Sequence, residues 1–544
     1  MAITATYDLI DKYIVRARLL TPLHVGSADK GTGEVLVHPV TDMPFIQASG
    51  IAGVFRECYR DLFDDPASEL NLFGDNDKKA GRIRFSDGKI LGKAGDFKIE
   101  LRPRIRINRE TGTSDSAKGS GQDTDSGQKF ETEYIGAGAE IEFRVYIYDE
   151  QNTPAGDRQK VEQIFAQIHR RGELGGTVQF GGQKSNGCGF MEILSLRHHA
   201  FNMLKKEDRS AWTKEENEDL VIYEDRLKDV EDLQDETHFS TRAYTILLEA
   251  NTEGSLLVKA ISLTGGNQLD GGKNEKETEP DSVNMRNAQG LYIIPGSSVK
   301  GAVRAQFERI AAYLEANLQK EDLSLQGGGQ KRFDRNTVIE DAFGRTGKKG
   351  GKGLLHGRLE KIDTGAAGNV RFYDVLVSPI NGHEKEVIYN RIHIDRFTGG
   401  VMNKSLFKEQ AVHGSLLIEA AVMKNVRHIG SEIAENVTTE REDAKRKSDR
   451  SCGMLILALR DLALGMYNLG SGYSVGRGFL CAKKMTILTG DGKKAELVFS
   501  PRANAGELVG MKLDDPEKIV EGCLKALGEP VQNTISEKAG KEGV

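Results

Sequence analysis

Apolar residues recur along the chain at two spacings, and each spacing indicates a different secondary structure. Stretches rich in β-branched and apolar residues, typical of strands, are "YIVRARLLTPLHVG" (13–26) and "TRAYTILLEAN" (241–251). Each is followed by a polar loop and then by apolar residues at helical spacing. In the second case these include Val299, Val303 and Phe307 of "SSVKGAVRAQFERIAAYLEANL". The pattern therefore predicts strand, loop and helix twice along the chain.

The remaining segments complete the same order in both halves. Further strands are predicted at 139–149 and 414–423, helices at 158–172 and 453–470, and final strands after the glycine-rich "GGQKSNGCGF" and "GSGYSVGRGF". The order strand, helix, two strands, helix, strand is that of a ferredoxin-like (RRM-like) domain. The predicted fold class is α+β, with two such domains in tandem. Long polar loops at 108–129 and 264–290 interrupt them.

Five short segments of the first half recur in the second half in the same order. The matched pairs are "ASGIAGVFR" (48–56) with "GSSVKGAVR" (296–304), "NLFGD" (71–75) with "DAFGR" (341–345), "GRIRFSD" (81–87) with "GNVRFYD" (368–374), "RIRINRETG" (104–112) with "RIHIDRFTG" (391–399), and "FGGQKSNGCGF" (180–190) with "LGSGYSVGRGF" (469–479). Five matches in register indicate an internal duplication. The predicted domains are 1–205 and 239–512, separated by an acidic linker at 206–238 and followed by a partly disordered tail at 513–544.

Composition limits the compartment and the class of protein. The 544 residues contain 38% hydrophobic residues, yet no apolar run is long enough to cross a bilayer. The five cysteines include no CxxC pair, which favours a reducing cytoplasm and argues against a structural zinc site. The net charge is −6, but residues 207–236 carry 13 acidic and four basic side chains, so the rest of the chain is at +3. That balance is compatible with an RNA partner and does not by itself indicate one.

The repeated strand-to-helix turn is the first candidate for a binding site. A helix start presents unpaired N–H groups and the positive end of its dipole, which favours a phosphate. The residues predicted to contact RNA there are Gly296, Ser297, Ser298, Lys300 and Arg304, with Ser49 and Arg56 in the first copy. The alternative is an ordinary helix cap with surface cations.

Two further repeated segments carry candidate RNA contacts. Glycines in the closing segments let a backbone approach closely, with Lys184 or Arg477 supplying charge; the alternative is a tight turn. In "RIRINR" and "RIHIDR" basic residues alternate with isoleucines at strand period. This pattern predicts one face with Arg104, Arg106, Arg391 and His393 and a second face of isoleucines. Such a face suits phosphates, and solvated edge-strand charges are the alternative.

These turns and the "AFG", "VRFYD" and "GSGYSVGRGF" segments resemble the RAMP superfamily. The closer resemblance is to the backbone subunits of type III CRISPR effector complexes, with two backbone domains fused in one chain as in some type III-D systems. It covers about residues 10–200 and 240–490 and is stronger in the second copy. It implies two RAMP domains that bind guide crRNA, and a thumb-like hairpin that distorts the guide–target duplex. It also implies partner effector subunits and cleavage of target RNA with a divalent metal, for which Mg²⁺ is the expected ion.

The resemblance also implies an acidic catalytic residue about fourteen residues before the proline of the turn. Asp281 is at that position in the second copy. A carboxylate there orients a metal-bound water or helps to deprotonate the ribose 2′-hydroxyl, and Asp281 is also the candidate metal ligand. A merely solvated carboxylate is the alternative. The first copy has Gly33 at that distance, so Glu34 and Asp29 are its substitute candidates, and this copy is less expected to be catalytic.

Three other functions are compatible with the sequence. One is a non-catalytic scaffold that binds crRNA. Another is a metal-independent endonuclease that processes guide RNA, for which His24 and His393 are the only suggestive histidines. The last is a duplicated α+β protein unrelated to RNA. Loss of target cutting in Asp281→Ala with intact RNA binding distinguishes the first two from the predicted nuclease.

Overall fold

The computed structural model describes residues 7–26, 33–63, 65–75, 79–93, 95–105, 107, 129–149, 156–169, 178–214, 222–236, 241–260, 280–322, 333–346, 365–380, 385–424, 434–500 and 510–528. These residues divide into two compact units. The first unit contains the described residues between 7 and 241 and between 259 and 293. The second contains those of 242–258, 294–424 and 434–528.

The first unit is built on an antiparallel sheet with the first strand near its centre. Its strands are β1 (Leu9–Leu19), β2 (Phe45–Ile46), β3 (Gly74–Asp75), β4 (Lys79–Ala80), β5 (Ile83–Phe85), β6 (Gly88–Ile90), β7 (Ile99–Ile105), β8 (Lys129–Ile135), β9 (Glu140–Asp149), β10 (Met191–Asn202) and β11 (Glu224–Asp225). The sheet order in the described part is β11-β10-β1-β9-β6-β2, with β5 also on β9, while β7 and β8 form a separate hairpin.

Five helices belong to the first unit: α1 (Ala48–Leu62), α2 (Pro66–Phe73), α3 (Gly156–His169), α4 (Lys206–Thr213) and α5 (Leu227–Glu236). Alternation along β1 gives its two faces different environments, because Tyr13, Val15 and Ala17 are buried while Arg16 and Arg18 are exposed. The buried face packs against α1 and α3 to form the core. The predicted acidic linker at 206–238 contains α4, β11 and α5, which belong to this unit.

The second unit repeats this arrangement. Its strands are β12 (Arg242–Thr252), β13 (Ile293–Ile294), β14 (Gly344–Arg345), β15 (Ala366–Ala367), β16 (Val370–Phe372), β17 (Val375–Ser378), β18 (Lys385–Ile394), β19 (Val401–His413), β20 (Ser415–Met423), β21 (Leu480–Thr489), β22 (Lys494–Ser500) and β23 (Gly510–Asp514). The sheet order in the described part is β13-β17-β20-β12-β21-β22-β23, with β16 also on β20, and β18 pairs with β19 as a separate hairpin. β12 lies between β20 and β21, just as β1 lies between β9 and β10 in the first unit.

The helices of the second unit are α6 (Gly296–Asp322), α7 (Arg335–Phe343), α8 (Ala434–Ala463) and α9 (Ile519–Lys525). Val299, Val303 and Phe307 of α6 are fully buried, as their helical spacing predicts. The predicted tail at 513–544 begins inside β23 and contains α9, which packs on α8; residues 529–544 lie outside the described residues. No helix in the described part of the chain is long and apolar enough to cross a membrane.

Each unit contains an equivalent pair of backbone hydrogen bonds at the base of its hairpin. In the first unit Leu23 and Ile135 exchange both backbone hydrogen bonds, at 2.9 and 2.8 Å, and in the second unit Leu256 and Val412 do the same at 2.8 and 2.9 Å. Each pair joins the segment after the first strand to the second strand of the hairpin. The prediction of a mixed α+β fold is therefore confirmed, with antiparallel sheets; the order of elements is the same from β1 to β10 as from β12 to β21 and differs after them.

Candidate nucleic-acid interface

Each repeated strand-to-helix turn is capped by an aspartate at the end of the "RFSD" or "RFYD" segment. The N–H of Gly296, at the start of α6, donates to Asp374 Oδ1 at 2.8 Å. The N–H of Ala48, at the start of α1, donates to Asp87 Oδ1 at 2.7 Å. A carboxylate at a helix N-terminus satisfies an otherwise unpaired donor and interacts favourably with the helix dipole. The two helix starts are therefore built in the same way, from residues that match in the duplication.

These caps change which atoms of the turn are available to a phosphate. The N–H of Gly296 is occupied by Asp374, and the N–H groups of Ser298 and Val299 donate to Pro295 O at 2.8 and 3.2 Å. Within the described part of the chain, the N–H of Ser297 has no acceptor. The half-buried side chains of Ser297 and Ser298 add two hydroxyl groups. A phosphate at this turn would therefore use Ser297 and the hydroxyls rather than Gly296.

The predicted cations beside the turns are paired with carboxylates or partly buried. Arg56 Nε donates to Glu69 Oε1 at 2.5 Å, and Arg304 Nε donates to Glu308 Oε1 at 3.0 Å. Ser49 is exposed, whereas Lys300 is half-buried. Because each arginine lies beside a carboxylate, its field is largely offset at the distance of a bound strand. Charge at the helix starts is therefore weaker than the sequence alone indicates.

The two glycine-rich segments have the same backbone path. Gly181, Gln183, Gly187 and Gly189 all have positive φ, and so do the four glycines at the matching positions 470, 472, 476 and 478. The N–H of Gly182 donates to His24 O at 2.8 Å, and that of Ser471 donates to Leu257 O at 2.8 Å. The outer glycines are required by the chain itself, because a Cβ on Gly189 or Gly478 would lie 1.9 Å from a backbone carbonyl oxygen of the same segment.

The cations of the glycine-rich segments differ in exposure. Lys184 Nζ lies 2.7 Å from Glu57 Oε2 at the surface. Arg477 is only 5% exposed, and its Nη1 donates to Glu409 Oε2 at 2.7 Å. Its guanidinium also lies 4.8 Å from the ring centre of Tyr389. Arg477 therefore ties the glycine-rich segment to the β18–β19 hairpin. The sequence did not reveal this role, since Glu409 and Tyr389 belong to no repeated motif.

The hairpins carry the predicted basic strands. Arg391 is exposed and its Nη1 donates to Glu409 Oε2 at 3.1 Å, while the ring of His393 packs edge-on against Phe407 with centroids 5.6 Å apart. Arg104 is half-buried on β7, and Arg106 lies outside the described residues. The isoleucines of β18 do not enter a core, because Ile392 and Ile394 are about half exposed. Around Ile392 and Ile394, both faces of this hairpin are therefore open in the described part of the second unit.

Glu409 accepts from both arginines, and this shifts its titration. Burial alone raises the pKa of the carboxyl, but the hydrogen bonds from Arg477 and Arg391 and the attraction of their charges outweigh it. The pKa of Glu409 is therefore lowered from its usual value.

The candidate acids lie in exposed segments. Asp281 is exposed in the segment 280–293, which belongs to the first unit. Glu34 is exposed, and its neighbour Val35 donates its N–H to Glu133 Oε2 at 3.1 Å. Asp29 lies outside the described residues. The described residues contain no group of three His, Cys, Asp or Glu side chains that is able to hold a metal ion.

The histidines named for guide processing have other partners. His24 Nδ1 lies 2.9 Å from the backbone oxygen of Glu133, and its ring packs against Tyr134. His393 packs against Phe407. The contacts of His24 indicate a structural role for its ring, whereas His393 is exposed.

The chain was compared with protein families, curated proteins and solved structures, and the family match falls separately on the two halves. No curated protein matches the sequence. Among solved structures, a chain of the "Cryo-EM structure of the Type III-B Cmr-beta bound to cognate target RNA" is similar at 16% identity with a TM-score of 0.26. The match covers 35% of this chain and 60% of the length of that chain. The family model described as the RAMP superfamily matches residues 16–192 and, separately, 256–481. The two matched regions include both capped turns and both glycine-rich segments, and together they span most of the sequence; the chain belongs to the RAMP superfamily.

Proposed function

We propose that this protein is a backbone subunit of a type III CRISPR ribonucleoprotein, in which it binds guide crRNA and cleaves complementary target RNA. The observation that carries the proposal is that two separate regions match the RAMP superfamily. In addition, each region has the same aspartate-capped helix start and the same glycine-rich backbone. A chain with two backbone domains binds two successive segments of one guide. Its partners are crRNA, target RNA and other effector subunits, in the cytoplasm.

We further propose that each unit is a ferredoxin-like domain. The strand orders β10-β1-β9-β6 and β21-β12-β20-β17 support this. In a ferredoxin-like sheet the first of the four strands lies between the fourth and the third, and β1 and β12 occupy that position. A helix follows the first strand and another precedes the last in both repeats. The additional strands β22 and β23 extend the second sheet beyond this pattern.

Guide binding in this proposal depends on the backbone more than on paired arginines. The N–H of Ser297, the two serine hydroxyls and the half-buried Lys300 form the contact in the second unit, and Ser49 forms its counterpart in the first. The exposed β18–β19 hairpin acts as the thumb that enters the guide–target duplex, with Arg391 and His393 on one face and isoleucines on the other. Insertion of apolar side chains between bases does not depend on base-edge hydrogen bonds, as a guide-binding protein requires.

Target cleavage is assigned to Asp281. Its carboxylate takes the proton of a target ribose 2′-hydroxyl, and the 2′-oxygen attacks the adjacent phosphorus. The bond from phosphorus to the 5′-oxygen breaks, the leaving 5′-oxygen takes a proton from water, and the Asp281 carboxyl returns its proton to solvent. The products are a 2′,3′-cyclic phosphate and a 5′-hydroxyl. Magnesium belongs to the proposal as the ion that the resemblance implies, and it would supply charge neutralisation at the phosphate. An exposed carboxylate beside a bound strand is compatible with this chemistry.

Target cutting by the guide-loaded full chain tests the assignment. We expect Asp281→Asn to lower the single-turnover cleavage rate by about 100-fold or more, the range for removal of a general base. The amount of guide that co-purifies should not change. Asp42→Asn is the matched control, because Asp42 is also exposed and asparagine tolerates its positive φ of 52°.

Two outcomes distinguish the alternatives. Wild-type cutting in Asp281→Asn with bound guide would favour the non-catalytic scaffold. If Asp281→Asn retains part of the cutting activity and the added substitution Glu34→Gln abolishes it, the first copy has a second active site. Absence of any small RNA from the purified protein would reject the RNA-binding function itself.

A further inference from the structure

The segment that carries Asp281 is held by the hairpin of the first copy. Residues 280–293 belong in sequence to the second copy, yet they form part of the first compact unit. The N–H of Ala288 donates to Glu100 Oε1, on β7, at 2.7 Å. Glu100 is only 7% exposed, so this bond between a carboxylate and a backbone amide is shielded from water.

Each oxygen of the Glu100 carboxylate has a separate task. Oε1 accepts from Ala288, while Oε2 accepts from Arg102 Nε at 2.9 Å and from Arg102 Nη2 at 2.7 Å. Arg102 is also buried, and its guanidinium lies 5.1 Å from the ring centre of Tyr134, on the partner strand β8. The charge of Glu100 is therefore balanced, and its orientation towards Ala288 is fixed by the hairpin.

A close approach between the two backbones accompanies this hydrogen bond. Gly136 follows β8, and a Cβ built on it would lie 2.4 Å from the Cβ of Ala288 and 2.9 Å from Lys98 O. No side chain larger than hydrogen fits there without movement of the Ala288 turn. Asn287 completes the turn, because its Oδ1 accepts the N–H groups of Gln289 and Leu291 at 3.0 and 2.9 Å.

The corresponding position of the second hairpin lacks this acceptor. Ile99 pairs with Ile135 in β7–β8, and Glu386 pairs with Val412 in β18–β19, where Ile135 and Val412 make the equivalent bridges to Leu23 and Leu256. The residue after Ile99 is Glu100, and the residue after Glu386 is Val387. A valine side chain accepts no hydrogen bond, so this position of the second hairpin does not offer the acceptor that Glu100 provides in the first.

From these contacts we propose that Glu100 is a positioning residue for target cleavage: the first copy anchors the loop that carries the carboxylate of the second copy. The inference rests on the proposed function of Asp281. It gives the first copy a role in catalysis that is independent of any active site of its own. Displacement of a catalytic group by about 1 Å is enough to reduce a rate by up to about 100-fold.

Glu100→Ala and Glu100→Gln in the guide-loaded full chain test the proposal. We expect both to lower the single-turnover cleavage rate by about 10-fold or more at saturating target, without a change in target affinity. Glutamine fails because its NH₂ group must face either the N–H donors of Arg102 or the N–H of Ala288. In both variants the Ala288 amide should exchange its hydrogen faster than in the wild type. Glu140→Ala is the matched control, because Glu140 also accepts from an arginine, Arg16, in the same unit.

A second variant covers the case in which Glu100 substitutions impair folding. Gly136→Ala pushes against Ala288 directly and should slow cleavage. Ala288→Gly in the same chain relieves that contact and should restore part of the rate. The melting temperatures of both variants, measured in parallel, show whether the change in rate follows a general loss of stability; a rate that follows stability alone contradicts the positioning role.

The outcomes separate this inference from the proposed function. If Asp281→Asn is inactive while Glu100→Ala and Gly136→Ala both cut at the wild-type rate, the anchoring role is wrong and the assignment of Asp281 remains. If Asp281→Asn cuts normally, both are wrong. If the Glu100 variants lose target affinity in proportion to rate, Glu100 contributes to binding and the positioning role is rejected.

Discussion

Asp87 and Asp374 occupy equivalent positions and cap equivalent helices, so they allow one interaction to be tested twice in one molecule. Each accepts the N–H of the first residue of its helix at 2.7 to 2.8 Å. The sequence predicts the helix starts from the repeated glycines and serines. It did not predict the caps, because the aspartates lie 39 and 78 residues further along the chain.

Removal of either cap should reduce stability without removing a catalytic group. We expect Asp374→Ala and Asp87→Ala each to lower the free energy of unfolding by about 1 kcal/mol, the typical value of an N-cap. Urea denaturation followed by circular dichroism measures the change. Asp42→Asn should have a smaller effect, because asparagine tolerates the positive φ of that position, and an equally large loss there would show that the caps are not special.

The carboxylate of Glu409 should make the second unit sensitive to acid. Its pKa is lowered in the folded protein, so its contribution to stability is complete above the unfolded value of about 4.3 and is lost as the pH falls through the lowered value. We expect Glu409→Gln to destabilise the protein at pH 7 and to have a smaller effect below pH about 4. Unfolding free energies of both proteins across this range measure it. A difference that is constant with pH would contradict the role of the charge.

At the scale of elements, the glycine-rich segments are recognisable as a motif from the sequence, but the sequence does not show why the glycines are needed. Its repetition and its place between helix and strand follow from the sequence. The reason for individual glycines does not, because it is the approach of a carbonyl oxygen within the same segment. Likewise, alternation in "RIHIDR" predicts a strand with two faces. It does not reveal that neither face is covered by the described part of the second unit.

Two neighbouring glycines separate the cost of backbone conformation from that of close approach. Gly476 and Gly478 both have φ of 76°, but a Cβ on Gly476 meets no atom within 4 Å, whereas one on Gly478 lies 1.9 Å from Leu469 O. We expect Gly476→Ala to cost about 1 kcal/mol of stability and Gly478→Ala clearly more. Thermal unfolding of the two variants measures the difference, and equal melting temperatures would contradict the packing argument.

At the scale of the molecule, the duplication could be predicted almost completely, because both copies keep short segments in register. The assignment of residues to compact units could not. Residues 280–293 follow the second copy's first strand in sequence, yet they belong to the first unit through contacts such as Ala288 with Glu100. Contacts of this kind between residues 188 positions apart leave no periodic signal.

The proposed metal dependence of target cutting is tested on the guide-loaded full chain. We expect EDTA to abolish target cutting by the guide-loaded chain, Mg²⁺ to restore it, and the amount of bound guide to remain constant. A cleavage assay with parallel gel analysis of retained RNA measures both. Undiminished cutting in EDTA would favour chemistry that depends on protein groups alone.

The β18–β19 hairpin has one consequence for handling the protein. Phe397 at its tip is fully exposed, and Ile394, Val401 and Leu406 beside it are about half exposed. A hairpin with several exposed apolar side chains tends to associate with other apolar surfaces when no nucleic acid covers it. Chain produced without nucleic acid should therefore self-associate or recruit chaperones, and expression together with its guide and target should yield dispersed particles.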